Sequence, residues 1–243
     1  MKHILLFLAL LTNSATSSPL QECRTIQPGA NEIFQELAYK GGLACIYSTM
    51  ESDKYVTISF FEETLVGYNR IAENNTLIQL QDMQQNQTTI DAIDANRFQI
   101  IYQYPRDTYV IELESSEHSI KIASIYKTIK LSSVTIEETP LMVDFSASDE
   151  KIETMSFDTL DENQAFGKES LELASSSLEK SIPITTEKAV LFIKPDTMHK
   201  SKSYLIKGDQ VMLLKAKEEW LLIRYKNNKN TSIDRWIKLS DVL

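Results

Sequence analysis

The sequence predicts a mainly β protein: one N-terminal helix, an antiparallel β meander, and a small β-barrel at the C-terminus. Three observations lead there. Runs of β-branched and aromatic residues recur along the chain, several alternating apolar and polar with the period-two repeat of a half-buried strand. The polar connections between runs are short, and short connections join antiparallel neighbours, because a parallel crossover needs about a dozen residues or more. Strand-like runs also continue to the last residue, through a block of different charge from the rest.

The chain starts with Met1-Lys2-His3, an unbroken apolar run from Ile4 to Leu11, and a small-residue stretch ending Ala15-Thr16-Ser17-Ser18. A basic start, a short apolar run and small residues make a secretory signal peptide at 1–17, cut between Ser17 and Ser18. The run is too short to span a bilayer, which takes about 20 residues, so no transmembrane segment is expected in the mature chain. Lipidation of Cys23 fits less well, since Glu22 stands where a small residue belongs. Cys23 and Cys45 are the two cysteines. In an exported chain they most simply form one disulfide, with two free thiols as the alternative.

Residues 18–145 read as a β-rich body with one helix at its start. Asn31 suits a helix N-cap, Glu32 complements the first turn, Ile33, Phe34, Leu37 and Ala38 share a helical face, and Gly41-Gly42 ends it. Strands are then expected at 43–50, 55–61, 65–71, 77–81, 97–104, 109–113, 120–126, 131–136 and 141–145. The Gln/Asn-rich stretch at 81–89 reads as an exposed turn. Residues 146–183 are acidic and Ser-rich and read as a linker or irregular arm, with a weak helix over 168–180 that places Leu171 and Leu178 on one side. Pro183 separates it from the terminal module at 184–243.

Charge divides along the same boundary. The formal net charge is −9; residues 18–183 carry 12 basic against 27 acidic side chains, and residues 184–243 carry 12 against 7. An acidic body argues against nucleic acid as a partner, because phosphate binding needs a basic surface. The asymmetry reads either as solubility and mutual attraction of the two halves or as different partners for each.

Common catalytic machinery is sparse. After signal removal only His118 and His199 remain, in different predicted domains, so a Ser–His–Asp or Cys–His site has one histidine at most in the body. Zinc sites lack ligands, and the six glycines form no phosphate loop, so no metal or cofactor is expected. The carboxylate pairs Glu62-Glu63, Glu137-Glu138, Asp149-Glu150 and Asp161-Glu162 are adjacent in sequence, and neighbours on a strand point to opposite faces. They read as turn charges rather than a glycosidase pair. Asn74, Asn86 and Asn230 each start an Asn-x-Ser/Thr acceptor pattern.

In the terminal module, Tyr204-Leu205-Ile206-Lys207-Gly208-Asp209-Gln210-Val211 resembles the first-hairpin pattern of bacterial SH3-like (SH3b) domains. Glu219-Trp220-Leu221-Leu222-Ile223-Arg224-Tyr225 is similar to the family's next strand, and Trp236-Ile237-Lys238-Leu239-Ser240-Asp241-Val242-Leu243 to its closing strand and terminal turn. Ala189-Val190-Leu191-Phe192 with Pro195 resembles its first strand and loop. Alternation puts Val211, Leu213, Trp220 and Leu222 toward the barrel interior. Glu219 and Arg235 stand where the family often has Gly before Trp. The resemblance implies an SH3-like barrel, a cell-envelope interaction role, and a groove for peptide or peptidoglycan lined by Tyr204, Trp220, Tyr225 and Trp236. The alternative is that both Trp rings pack the barrel.

The functional expectation is an exported, non-enzymatic binding protein, periplasmic or secreted, contacting an envelope protein or a peptidoglycan component. An inhibitor or immunity factor for an envelope-acting enzyme is one alternative; a cell-wall hydrolase targeted by its SH3-like module is the other.

Overall fold

The computed structural model describes residues 21–50, 54–116, 118–131, 142–167, 170–217, 219–227 and 230–243. The signal segment at 1–17 and all but Leu131 of the strand expected at 131–136 lie outside the described residues.

Helix α1 (Gln21–Ile26) precedes a four-stranded sheet of β1 (Ala30–Tyr39), β2 (Gly42–Thr49), β3 (Thr57–Thr64) and β4 (Gly67–Asn74), in that order. Helix α2 (Leu80–Gln84) leads into a second sheet of β5 (Thr88–Ala92), β6 (Arg97–Gln103), β7 (Asp107–Ser116), β8 (Ser119–Lys130) and β9 (Met142–Ser146). Short helices α3 (Asp149–Glu153) and α4 (Glu162–Phe166) follow, then β10 (Glu172–Leu173), which adds to β9 at the sheet edge. The third sheet holds β11 (Ser181–Pro183), β12 (Ala189–Phe192), β13 (Lys200–Leu205), β14 (Gln210–Lys217), β15 (Trp220–Lys226) and β16 (Ser232–Lys238), in the order β11-β14-β15-β16-β12-β13. Every ladder is antiparallel.

The helix expected at 32–40 is instead strand β1. Its register slips twice against β2, between Ala30 and Glu32 and between Ile33 and Gln35. A bulge places one extra residue on a strand and shifts the faces beyond it. Phe34 therefore joins Leu37 and Tyr39 against the main core, while Ile33 packs on the other side, near Cys23. Two bulges thus imitate the apolar spacing of a helix. Gly41 turns the hairpin at φ 81°, a left-handed conformation suited to Gly.

Residues 77–81 also differ from expectation. Leu77 and Ile78 are buried but belong to no strand, and Gln79 makes only an isolated bridge to Tyr55. The 81–89 stretch, expected to be a turn, holds most of α2 and the start of β5.

The main core lies between the first two sheets. Ile58 and Phe60 from the first meet Ile90, Phe98 and Ile100 from the second. Strand β2 is buried on both faces: Ala44 and Ile46 face this core, whereas Leu43, Cys45 and Tyr47 form a smaller cluster beneath α1. The expected disulfide is present between Cys23 and Cys45, tying α1 to β2 across a strand rather than across a helix.

The acidic segment is a packed part of the body rather than a linker. Phe157, Leu160 and Ala165 are all buried in the main core. Asn74 fastens them: its Nδ2 donates to the Phe157 and Leu160 carbonyls at 2.6 and 2.8 Å, and its Oδ1 accepts from the Thr76 and Leu77 amides. With its amide fully bonded and 1% exposed, Asn74 offers no acceptor for a glycan in the folded chain. The helix expected over 168–180 is absent among the described residues of that stretch; Leu171 packs against both larger cores and Leu178 is exposed.

The second large core joins Ile129, Leu131, Val143 and Phe145, at the far end of β8 and β9, to the inner face of the third sheet. That sheet stays open: β11 and β13 are its two edges and do not pair. A closed barrel was expected. Strand β11 has three residues and ends at Pro183, which has no N–H to donate to a further ladder.

Candidate functional site

Register decides which face of the third sheet each aromatic residue occupies. Leu213 pairs with Ile223, and Leu221 with Ile237; all four are buried in the second core. Period-two alternation then turns Trp220 and Leu222 to the opposite face, and both are half-buried there. Trp220 and Leu222 were expected inside, with Val211 and Leu213. The correction arises because Trp-Leu-Leu-Ile is apolar throughout, so its parity is set by pairing.

The four expected binding residues fall in three places. Trp220 meets Phe192 edge-on, with centroids 4.8 Å apart, and stands in a cleft of about 690 Å³ with Pro195, Lys238, Leu239 and Leu243. Trp236 pairs with Leu222 and with Phe192 on the same outer face, outside that cleft. Tyr204 and Tyr225 share a separate hollow of about 530 Å³ with Asp209 and Gln210. The Tyr204 ring carries Lys188 Nζ at 4.4 Å, and Tyr225 also packs on the second core. One continuous four-aromatic groove is therefore not formed.

The outer face is also charged. Arg224 and Asp234 make a two-pronged pair at 2.7 and 2.8 Å, which holds Asp234 below the ordinary carboxylate range. Lys217 and Lys238 are the strand neighbours of Trp220. His199 Nδ1 contacts Asp196 at 2.7 Å at the edge of the Trp220 cleft.

A second concave site lies in the body and was missed from the sequence. Tyr102, Tyr104 and Tyr109, near the β6–β7 turn, meet Tyr55 and the α4 residues Glu162 and Phe166 around a cleft of about 480 Å³. Helix α4 is fixed there by a reciprocal cap: Asp161 accepts from the Gln164 amide at 2.7 Å and Gln164 accepts from the Asp161 amide at 3.1 Å. The nearest signal in the sequence is the spacing of Tyr102, Tyr104 and Tyr109, which looks like ordinary strand composition until α4 folds over it.

Burial shapes the ionisation of this cleft. Tyr104 is pushed up to about 12, first by burial and then by Asp82 and Glu162. Tyr102 is raised well above its ordinary value by burial; its hydroxyl donates to the Leu77 carbonyl at 3.0 Å. Asp82 accepts from Tyr104 at 3.4 Å, and its carboxyl is raised above the ordinary 3.8 by burial and by Glu162. The folded chain therefore holds the Asp82 proton to higher pH than the unfolded chain. Stability declines as pH rises through that interval. Asp82→Asn is expected to raise the melting temperature at pH 7, with the gain shrinking toward about pH 3, where both states are protonated. A lower melting temperature at pH 7 would rule this account out.

Comparison with known protein families, characterised proteins and solved structures finds no match for this chain.

Proposed function

We propose that the chain is an exported, non-enzymatic binding protein of the cell envelope, and that its terminal module, SH3-like in pattern, contacts a protein or cell-wall component. The observation that carries this reading is Trp220. It is only half-buried, at a cleft that sets Pro195, Leu239 and Leu243 beside the charged Asp196, Glu219 and Lys238. Aromatic side chains in such settings supply a large share of binding energy. The buried Cys23–Cys45 disulfide supports an oxidising compartment, and no helix among the described residues is long and apolar enough to cross a membrane.

Purified peptidoglycan and solubilised envelope protein, each immobilised, test the reading. The full chain should be retained on one of them, and Trp220→Ala should weaken retention by about tenfold. Trp220→Phe keeps a ring against Phe192 and controls for lost packing. Peptidoglycan should release no soluble fragments. Retention on neither surface, or retention unchanged by Trp220→Ala, would end the proposal. A single tight, salt-sensitive protein partner would favour the inhibitor reading instead.

A further inference from the structure

The body cleft has a chemistry of its own, independent of the terminal module. Its walls are aromatic. Phe166 lies 4.7 Å from Tyr109 and 5.4 Å from Tyr102, centroid to centroid, and Tyr104 meets Tyr109 at 6.0 Å. Its charged lining groups among the described residues are Asp161 and Glu162, beside the neutral Thr76 and Asn163, and Asp82 reaches Tyr104 from α2. Glu162 accepts a hydrogen bond from the neutral Gln79 Nε2 at 3.0 Å, and the Lys54 ammonium lies close enough to feel its charge. Among the described residues, no basic side chain lines the cleft.

Ring faces carry negative quadrupole potential and attract cations, most strongly where water is excluded. The rings at this site already do so at their margins: Lys54 Nζ stands 4.9 Å from the Tyr55 centroid and Lys127 Nζ 4.6 Å from that of Tyr109. A bare metal ion is a poor fit, because no group of three His, Cys, Asp or Glu side chains converges among the described residues. Anions would meet the Asp161 and Glu162 carboxylates, and an uncharged ligand would not engage them. A volume of about 480 Å³ suits a small organic ion.

We propose that this cleft binds an alkylammonium ion, with the tyrosine and Phe166 rings around its carbon groups and Glu162 as its counter-charge. A bound cation would also relieve the repulsion between Glu162 and Asp82. Isothermal titration of the full chain tests this with tetramethylammonium chloride and n-butylammonium chloride, using sodium chloride and tert-butanol as charge and shape controls.

Saturable binding of at least one ammonium salt, with neither control binding, is the expected result. Glu162→Gln keeps an acceptor for Gln79 and should weaken binding about tenfold; Phe166→Leu should weaken it severalfold. Preference for tetramethylammonium would assign the larger share to the rings, and preference for n-butylammonium the larger share to Glu162. Aromatic carbon–proton shifts of the unsubstituted chain should move on titration with the bound salt, which keeps the test valid if a variant fails to fold. Absence of saturable binding by both salts, equal binding of tert-butanol, or affinity unchanged in a folded Glu162→Gln chain would overturn the proposal.

Discussion

Replacing Phe157 by Ala is expected to lower the unfolding free energy by about 3–5 kcal/mol, the usual cost of removing a buried ring. Phe157 is 2% exposed and meets Phe60 edge-on, with centroids 5.4 Å apart. Phe60 in turn contacts Phe98 of the second sheet at 5.4 Å. The ring therefore closes one end of a chain of aromatic contacts that crosses both sheets. Its carbonyl accepts from Asn74 at the end of β4, so the backbone is held as well as the ring. Urea denaturation of the full chain measures the loss as a fall in midpoint. Phe157→Leu, which keeps most of the apolar volume, should recover a large part of it. If residues 146–183 were a solvated linker, Phe157→Ala would change stability by less than about 0.5 kcal/mol. That outcome would remove the acidic segment from the core.

The same segment shows where the sequence stops being readable. Its charges and serines are real surface features, but Phe157 and Leu160 are isolated apolar residues in a polar run and Ala165-Phe166 is a single apolar pair, without the repeat that marks an element. Their burial depends on partners more than 80 residues away, such as Asn74. The meander was legible because β6 alternates cleanly, as Phe98, Ile100 and Tyr102 do, and because β8 is rich in β-branched residues even though a bulge moves its buried face between Ile122 and Ile125. Strand β5 was not, because Ile90 is its one large apolar residue. Strand β1 was misread because bulges break period two, and β15 because four successive apolar residues carry no parity. The tyrosine cleft escaped for a related reason. Its walls come from strand residues common in any sheet, and it becomes a site only when capped α4 brings Glu162 and Phe166 over them. A binding site assembled from separate elements has no local spacing to read.

Removal of the disulfide is expected to be the other large effect. The double variant Cys23→Ala, Cys45→Ala should lose about 3 kcal/mol, the chain-entropy value for a loop of this size. The half-cystines are 22 residues apart, and both are fully buried with Leu43, Tyr47 and Phe61. Two different losses are combined in that figure, and they can be separated. The cross-link restricts the unfolded chain, which lowers the global unfolding free energy. It also holds α1, a six-residue helix that its own backbone bonds would not sustain. Without it, α1 keeps the Cys23 amide bond to Glu36 at 2.9 Å and the Tyr68 bond to Glu22 at 3.1 Å, both near solvent. Amide exchange should therefore rise in residues 21–26 well beyond the global change, while β2 and β3 follow the global change. Uniform exchange across α1 and β2 would mean that the helix is held by packing against Ile33 and Phe61 instead. A fall in urea midpoint with protected α1 amides would assign the disulfide's effect to the unfolded chain alone.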